Sequence, residues 1–216
     1  MRGYGETESP HAVDQYTLLH LVGDMVGLLD ALGAPERLAV WCMIETPLGV
    51  LAAREIAAAS PRLAVLVLGT ADLTKELHAL ATRDRLPLVT SLGLVMLAAR
   101  AYKLAILDGV HLDLSDDQGF ALACRQGREL GFDGKTLIHP KQIAPANAAY
   151  APSPEEIEWS RRIIAAHGEA AAAGKGVALV DGKLIEGLHV ENARRLLAVA
   201  GEIDRITSVD TPRRPV

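Results

Sequence analysis

Val40-Trp41-Cys42-Met43-Ile44-Glu45-Thr46-Pro47 and Leu66-Val67-Leu68-Gly69-Thr70-Ala71-Asp72-Leu73 each run an apolar strand into an acidic residue, Glu45 in the first and Asp72 in the second. The segment between them, roughly Gly49 to Ser60, reads as a helix. Strand, helix and strand form one crossover unit, which brings both strand ends to the same edge of a parallel sheet. Two carboxylates converging there are hard oxygen donors of the kind that hold Mg²⁺. The other reading of each acid alone is that it caps the helix that follows.

Working outward, apolar spacing predicts a helix over Pro10 to Leu32, stopped at Gly33. Strands are expected near Leu38 to Ile44, Ala64 to Leu68, Ala105 to Val110 and Thr136 to Ile138. Further helices are expected at Pro87 to Tyr102 and at Gln118 to Leu130, the latter closed by Gly131. Near-continuous apolar strands alternating with amphipathic helices imply an α/β fold with a parallel sheet, either doubly wound or a (β/α) barrel. A full barrel takes eight strands and about 250 residues. The four strands visible here are the C-terminal half of a (β/α)₈-type barrel at most.

Pro140 to Pro154, rich in proline and alanine, reads as a surface connection. A helix from Pro154 to His167 follows Ser153, with Glu155 and Glu156 in its first turn. Gly174 to Ile185 reads as a hairpin turning at Asp181-Gly182, and His189 to Ile203 as a last helix. The domains expected are a partial barrel with the metal site (1–150), a hairpin and helix appendage (151–206) and a disordered tail (207–216).

With 216 residues, half of them apolar, the chain can bury a sizeable core. A net charge of −5 without a basic stripe, and only 4% aromatics, argue against nucleic acid as a partner. Cys42 and Cys124 lack the spacing of a disulfide framework or a zinc site. No apolar run is long enough to span a membrane, and the start lacks the apolar stretch of a signal peptide, so a cytoplasmic protein is expected.

Five ordered motifs carry a resemblance: Met43 to Gly49, Gly69 to Leu73, Leu107 to Val110, Gly131 to Pro140 and Val180 to Glu186. Together they resemble the citrate lyase β-subunit-like branch of the HpcH/HpaI aldolase family, over about residues 7–200. The resemblance implies a (β/α)₈ barrel that uses Mg²⁺ to make or break the carbon–carbon bond of a 3-hydroxyacyl thioester, such as malyl-CoA, citramalyl-CoA or a citryl thioester. A close variant is malyl-CoA thioesterase, in which water removes CoA. The resemblance makes Glu45 and Asp72 the metal carboxylates. It places Asp108, Lys135 and His139 near the CoA portion, and Glu186, after Gly182-Lys183-Leu184-Ile185, where relatives carry an acid for proton transfer over a neighbouring subunit. Trimers or hexamers are the expected assemblies.

The residues alone leave simpler readings open. Lys135 fits a solvated edge charge, His139 a hydrogen-bonded loop residue, Asp108 an anchor for the turn at Gly109, and Glu186 an exposed charge before the last helix. The family's opening strands are also missing, with only Glu8-Ser9-Pro10 resembling the end of the fourth. An inactive subunit that associates with a full-length homologue is therefore the rival expectation from outside enzymology.

Overall fold

The computed structural model describes residues 18–35 and 38–209. It divides after Tyr150 into two compact units. In the first, α1 (Leu18–Ala31) precedes β1 (Val40–Ile44), α2 (Pro47–Leu51), α3 (Ala53–Ala58), β2 (Leu63–Leu68) and α4 (Thr70–Glu76). There follow α5 (Val89–Ala101), β3 (Ala105–Asp108), α6 (Asp117–Leu130), β4 (Gly134–Lys135) and α7 (Ile143–Tyr150).

All four strands are parallel and pair in the order β1-β2-β3-β4. A sheet that steps to the next neighbour each time through right-handed crossovers keeps its helices on one face, so this sheet is singly wound and not doubly wound. Burial agrees. Ile44, Leu66, Leu68 and Ile106 are sealed beneath the helices with Leu73, Leu92 and Val95, each such side chain contributing about 1.5–3 kcal/mol. On the opposite face, Trp41 and Met43 are 61% and 52% exposed.

Register fixes what stands at the strand ends. Ile44 pairs with Leu68, Val67 with Leu107 and Asp108 with Lys135. Glu45, Gly69, Gly109 and Thr136 therefore leave the sheet along one edge.

Several expectations need correction. The fourth strand is Gly134–Lys135, not Thr136 to Ile138. Thr136 N still donates to Asp108 O (2.9 Å), but the chain then turns. Ile138 N donates to Gln142 Oε1 (3.1 Å), while Leu137 packs on Phe120, Cys124 and Ala146. The helix expected over Gly49 to Ser60 starts at Pro47 and is interrupted at Ala52. The expected connection from Pro140 to Pro154 contains a 3₁₀ turn, Pro140–Gln142, and then α7. Both prolines there stand in first turns, where a missing N–H costs nothing, and the alanines favour helix. Of the helix expected over Pro10 to Leu32, residues 10–17 lie outside the described residues. Its stop is as expected, with Gly33 at φ +64 and Ala34 N bonded to Leu29 O (2.8 Å). Gly131, at φ +98, closes α6 in the same way.

In the second unit, α8 (Pro154–Ala172) opens on a capping box between Ser153 and Glu156. β5 (Ala178–Val180) and β6 (Lys183–Ile185) pair antiparallel across Asp181 and Gly182, both at positive φ, as a tight hairpin requires. Then α9 runs from Gly187 to Val209. Ile163, Val180, Ile185, Val190 and Ala193 form this unit's own core. The tail expected to be disordered from Thr207 is helical at Thr207 and Ser208, where Thr207 Oγ1 bonds back to Ile203 O (2.9 Å). Residues 210–216 lie outside the described residues.

Candidate active site

Glu45 leaves β1 half-buried and does not cap the next helix. That task belongs to Thr46, whose Oγ1 accepts from Gly49 N (3.0 Å) with Pro47 in the first turn. Glu45 instead lies against Gly69. A side chain at Gly69 would stand 2.8 Å from Glu45 Oε2 and closer still to its Cβ. Asp72 is exposed in the first turn of α4, where the helix dipole favours a carboxylate. Among the described residues neither carboxylate has an ion-pair or hydrogen-bond partner. Two acceptor-only groups left unsatisfied at the C-terminal edge of parallel strands match the donor set of a hard cation. Mg²⁺ commonly takes only one or two carboxylates and completes its shell with water and substrate, so the two present suffice. No cluster of three or more such donors occurs among the described residues.

Asp108 and Lys135, assigned separately from sequence, are brought together. Lys135 Nζ lies 2.9 Å from Asp108 Oδ2, both side chains are fully buried, and the same ammonium donates to Gly109 O. Arg85 completes the cluster, with Nη1 2.7 Å from each Asp108 oxygen, Nε on Gln126 Oε1 (2.7 Å) and Nη2 on Ala123 O (3.2 Å). Gly109 N donates to Asp108 Oδ1 (2.8 Å), so Asp108 does anchor that turn. By strand alternation both side chains belong to the helix-covered face, with Ile44 and Ile106. Lys135 is thus no solvated edge charge. Burial draws the pKa of its ammonium below the ordinary lysine value, and the Asp108 carboxylate opposes this. Burial, assisted by the Asp108 charge, pushes the nearby Tyr150 phenol well above its usual range.

His139 is exposed at the start of the 3₁₀ turn, where its Nδ1 accepts from Lys141 N (3.1 Å). Glu186 belongs to the second unit, where its carbonyl accepts from His189 N (3.0 Å) at the head of α9. Its exposed carboxylate has no partner among the described residues. Sequence reading missed Gly69 and Arg85. Gly69 had a usable signal, a glycine directly after a strand and three residues before an acid, where close backbone approach is common. Arg85 had none, because it reaches Asp108 from a polar loop at φ +53.

Comparison with known proteins adds a family. The family model described as HpcH/HpaI aldolase/citrate lyase matches residues 8–140, more than half of the chain. The chain belongs to this family. Similar members include a (3S)-malyl-CoA thioesterase of Cereibacter sphaeroides, 53% identical over 166 residues, or 77% of this chain and 58% of that protein. The citrate lyase subunit beta of Escherichia coli K12 is 34% identical over 77% of this chain and 55% of its own length. Among solved structures, protein CitE from Mycobacterium tuberculosis, in complex with magnesium, acetoacetate and coenzyme A, superposes with a TM-score of 0.65 at 29% identity. That match covers 82% of this chain and 74% of CitE. The chain thus spans little more than half the length of the curated HpcH/HpaI relatives it matches. No described helix is long and apolar enough to cross a membrane.

Proposed function

We propose that this chain carries the metal-carboxylate part of a Mg²⁺-dependent (3S)-malyl-CoA thioesterase site. The observation that carries the reading is the free pair Glu45 and Asp72 at the strand ends, in a chain 53% identical to a protein of that name. Glu45 and Asp72 would hold Mg²⁺, which would supply positive charge beside the oxygens of the acyl group. Gly69 keeps the Glu45 carboxylate in place by leaving it room. The buried group of Arg85, Asp108 and Lys135 ties the loop before α5 to β3 and β4, a positioning task in place of the ligand contact expected from sequence. His139 retains an exposed Nε2 for the CoA portion. Glu186 is the candidate to deliver or accept a proton, presented by the second unit to a neighbouring copy in a trimer or hexamer.

The singly wound sheet with one bare face supports reading the first unit as half of a (β/α)₈ barrel. The rival chemistry is carbon–carbon cleavage, as the citrate lyase relatives' name suggests. Product analysis with (3S)-malyl-CoA and Mg²⁺ separates them. Hydrolysis releases free thiol and malate, and cleavage releases glyoxylate and acetyl-CoA.

A further inference from the structure

A cavity of about 470 Å³ opens at the same sheet edge as the two carboxylates. Its walls come from α4 (Thr70, Thr74), from the polar loop before α5 (Leu80, Leu88) and from the chain leaving β3 (Val110, His111). Asp72 stands on α4 between the wall residues Ala71 and Thr74. The size falls within the range of small-molecule sites, and the place is where parallel sheets receive ligands.

Two features give the cavity a chemistry. Its apolar walls, Leu80, Leu88 and Val110, are interrupted by His111 Nε2, a buried nitrogen with no hydrogen-bond partner among the described residues. A polar atom buried without a partner costs about 1–3 kcal/mol, so such a site gains by taking a ligand with its own donor or acceptor. The His111 ring is held in place, edge to face on Phe120 with centroids 5.9 Å apart, and its carbonyl accepts from Gln142 Nε2 (3.0 Å). At the rim, Arg83 is fixed to Asp116 through Nε (3.1 Å) and Nη2, leaving Nη1 unassigned.

We infer that this cavity holds the pantetheine arm of the acyl thioester, with His111 Nε2 as its buried hydrogen-bond anchor. The arm is a narrow chain with one branched apolar segment, a hydroxyl and two amides, which suits apolar walls broken by a single fixed polar atom. Seated there, it would present its thioester beside α4 and hence beside Asp72. The inference rests on the thioesterase reading for its ligand.

The test uses the full chain and D-pantetheine, with coenzyme A alongside, by isothermal titration on wild type, His111→Ala, His111→Gln and Ala81→Trp. Ala81 is an exposed wall residue, so tryptophan there fills the cavity without disturbing the core. Pantetheine is expected to bind wild type, to weaken about tenfold in Ala81→Trp and His111→Ala, and to recover in part in His111→Gln, with Mg²⁺ affinity unchanged. Leu112→Trp, on an exposed part of the wall, repeats the test if Ala81→Trp lowers the melting temperature. No pantetheine binding to wild type, or unaltered affinity in the filled variants, overturns the inference. Binding as expected in a chain that never hydrolyses malyl-CoA overturns the thioesterase reading and leaves the cavity assignment standing.

Discussion

Glu45 occupies the space that any side chain at Gly69 would need: a Cβ there would lie 2.8 Å from Glu45 Oε2, and nearer still to the Glu45 Cβ. The two residues stand side by side because Ile44 pairs with Leu68 one step earlier. Gly69 has an ordinary φ of −85, so the constraint is one of space and not of backbone conformation. Gly69→Ala is expected to cost about 1–3 kcal/mol as overpacking. It should also displace the Glu45 carboxylate and weaken Mg²⁺ binding about tenfold. Urea midpoints and Mg²⁺ titration read the two effects, and unchanged metal affinity in a folded variant contradicts the placement.

The buried ionic cluster makes an ordering prediction. Asp108→Ala leaves Arg85 and Lys135 as two buried cations without their shared counter-charge, and should cost roughly 3–5 kcal/mol. Lys135→Met removes one of the two cations, leaves Arg85 on Asp108, and should cost clearly less. Chemical denaturation of both variants checks the order, and equal losses would mean that Arg85 does not hold the carboxylate.

Alkaline pH gives a third test. The pKa of Lys135 in the folded chain lies below its ordinary 10.5, so between the two values the unfolded chain binds the extra proton. Stability from this group therefore rises as pH climbs through that window. Tyr150 has the opposite sign, since its pKa is raised from 10.0 and the folded state keeps the proton longer, but it acts only near and above pH 10. Below that, the slope of stability against pH should be more positive in wild type than in Lys135→Met. Equal slopes rule out a strained buried ammonium.

In the second unit, Ser153 accepts from Glu156 N (3.2 Å), while the Glu156 side chain accepts from Ser153 N (2.7 Å). Ser153→Ala should cost about 1 kcal/mol. A change in melting temperature confined to signals from Trp159, whose ring lies beneath Arg162 and Lys183 in the same unit, is the expected reading. A shift in the first unit's signals alone would contradict it.

What could be read from sequence was whatever repeats locally. Strands β1 to β3 announce themselves as apolar runs, Gly33 and Gly131 mark helix ends, and Asp181-Gly182 marks the hairpin. Proline misled at Pro140 and Pro145, where it opens turns and does not break them. The fourth strand was misplaced because Leu137 and Ile138 are apolar for a different purpose, packing and turning after the ladder ends. At the site, the carboxylates were legible because each follows a strand. The pairing of Lys135 with Asp108 could be foreseen only from register, and Arg85 reaches them across 23 residues of sequence from a loop whose composition gives no hint of burial.

The most direct test of the central claim is a coupled product assay on (3S)-malyl-CoA with Mg²⁺, comparing the full chain with a Glu45→Ala, Asp72→Ala double variant. The account predicts free thiol and malate from wild type, no glyoxylate, and loss of thiol release in a double variant that remains folded. Glyoxylate with acetyl-CoA, or thiol release that survives removal of both carboxylates, would contradict it.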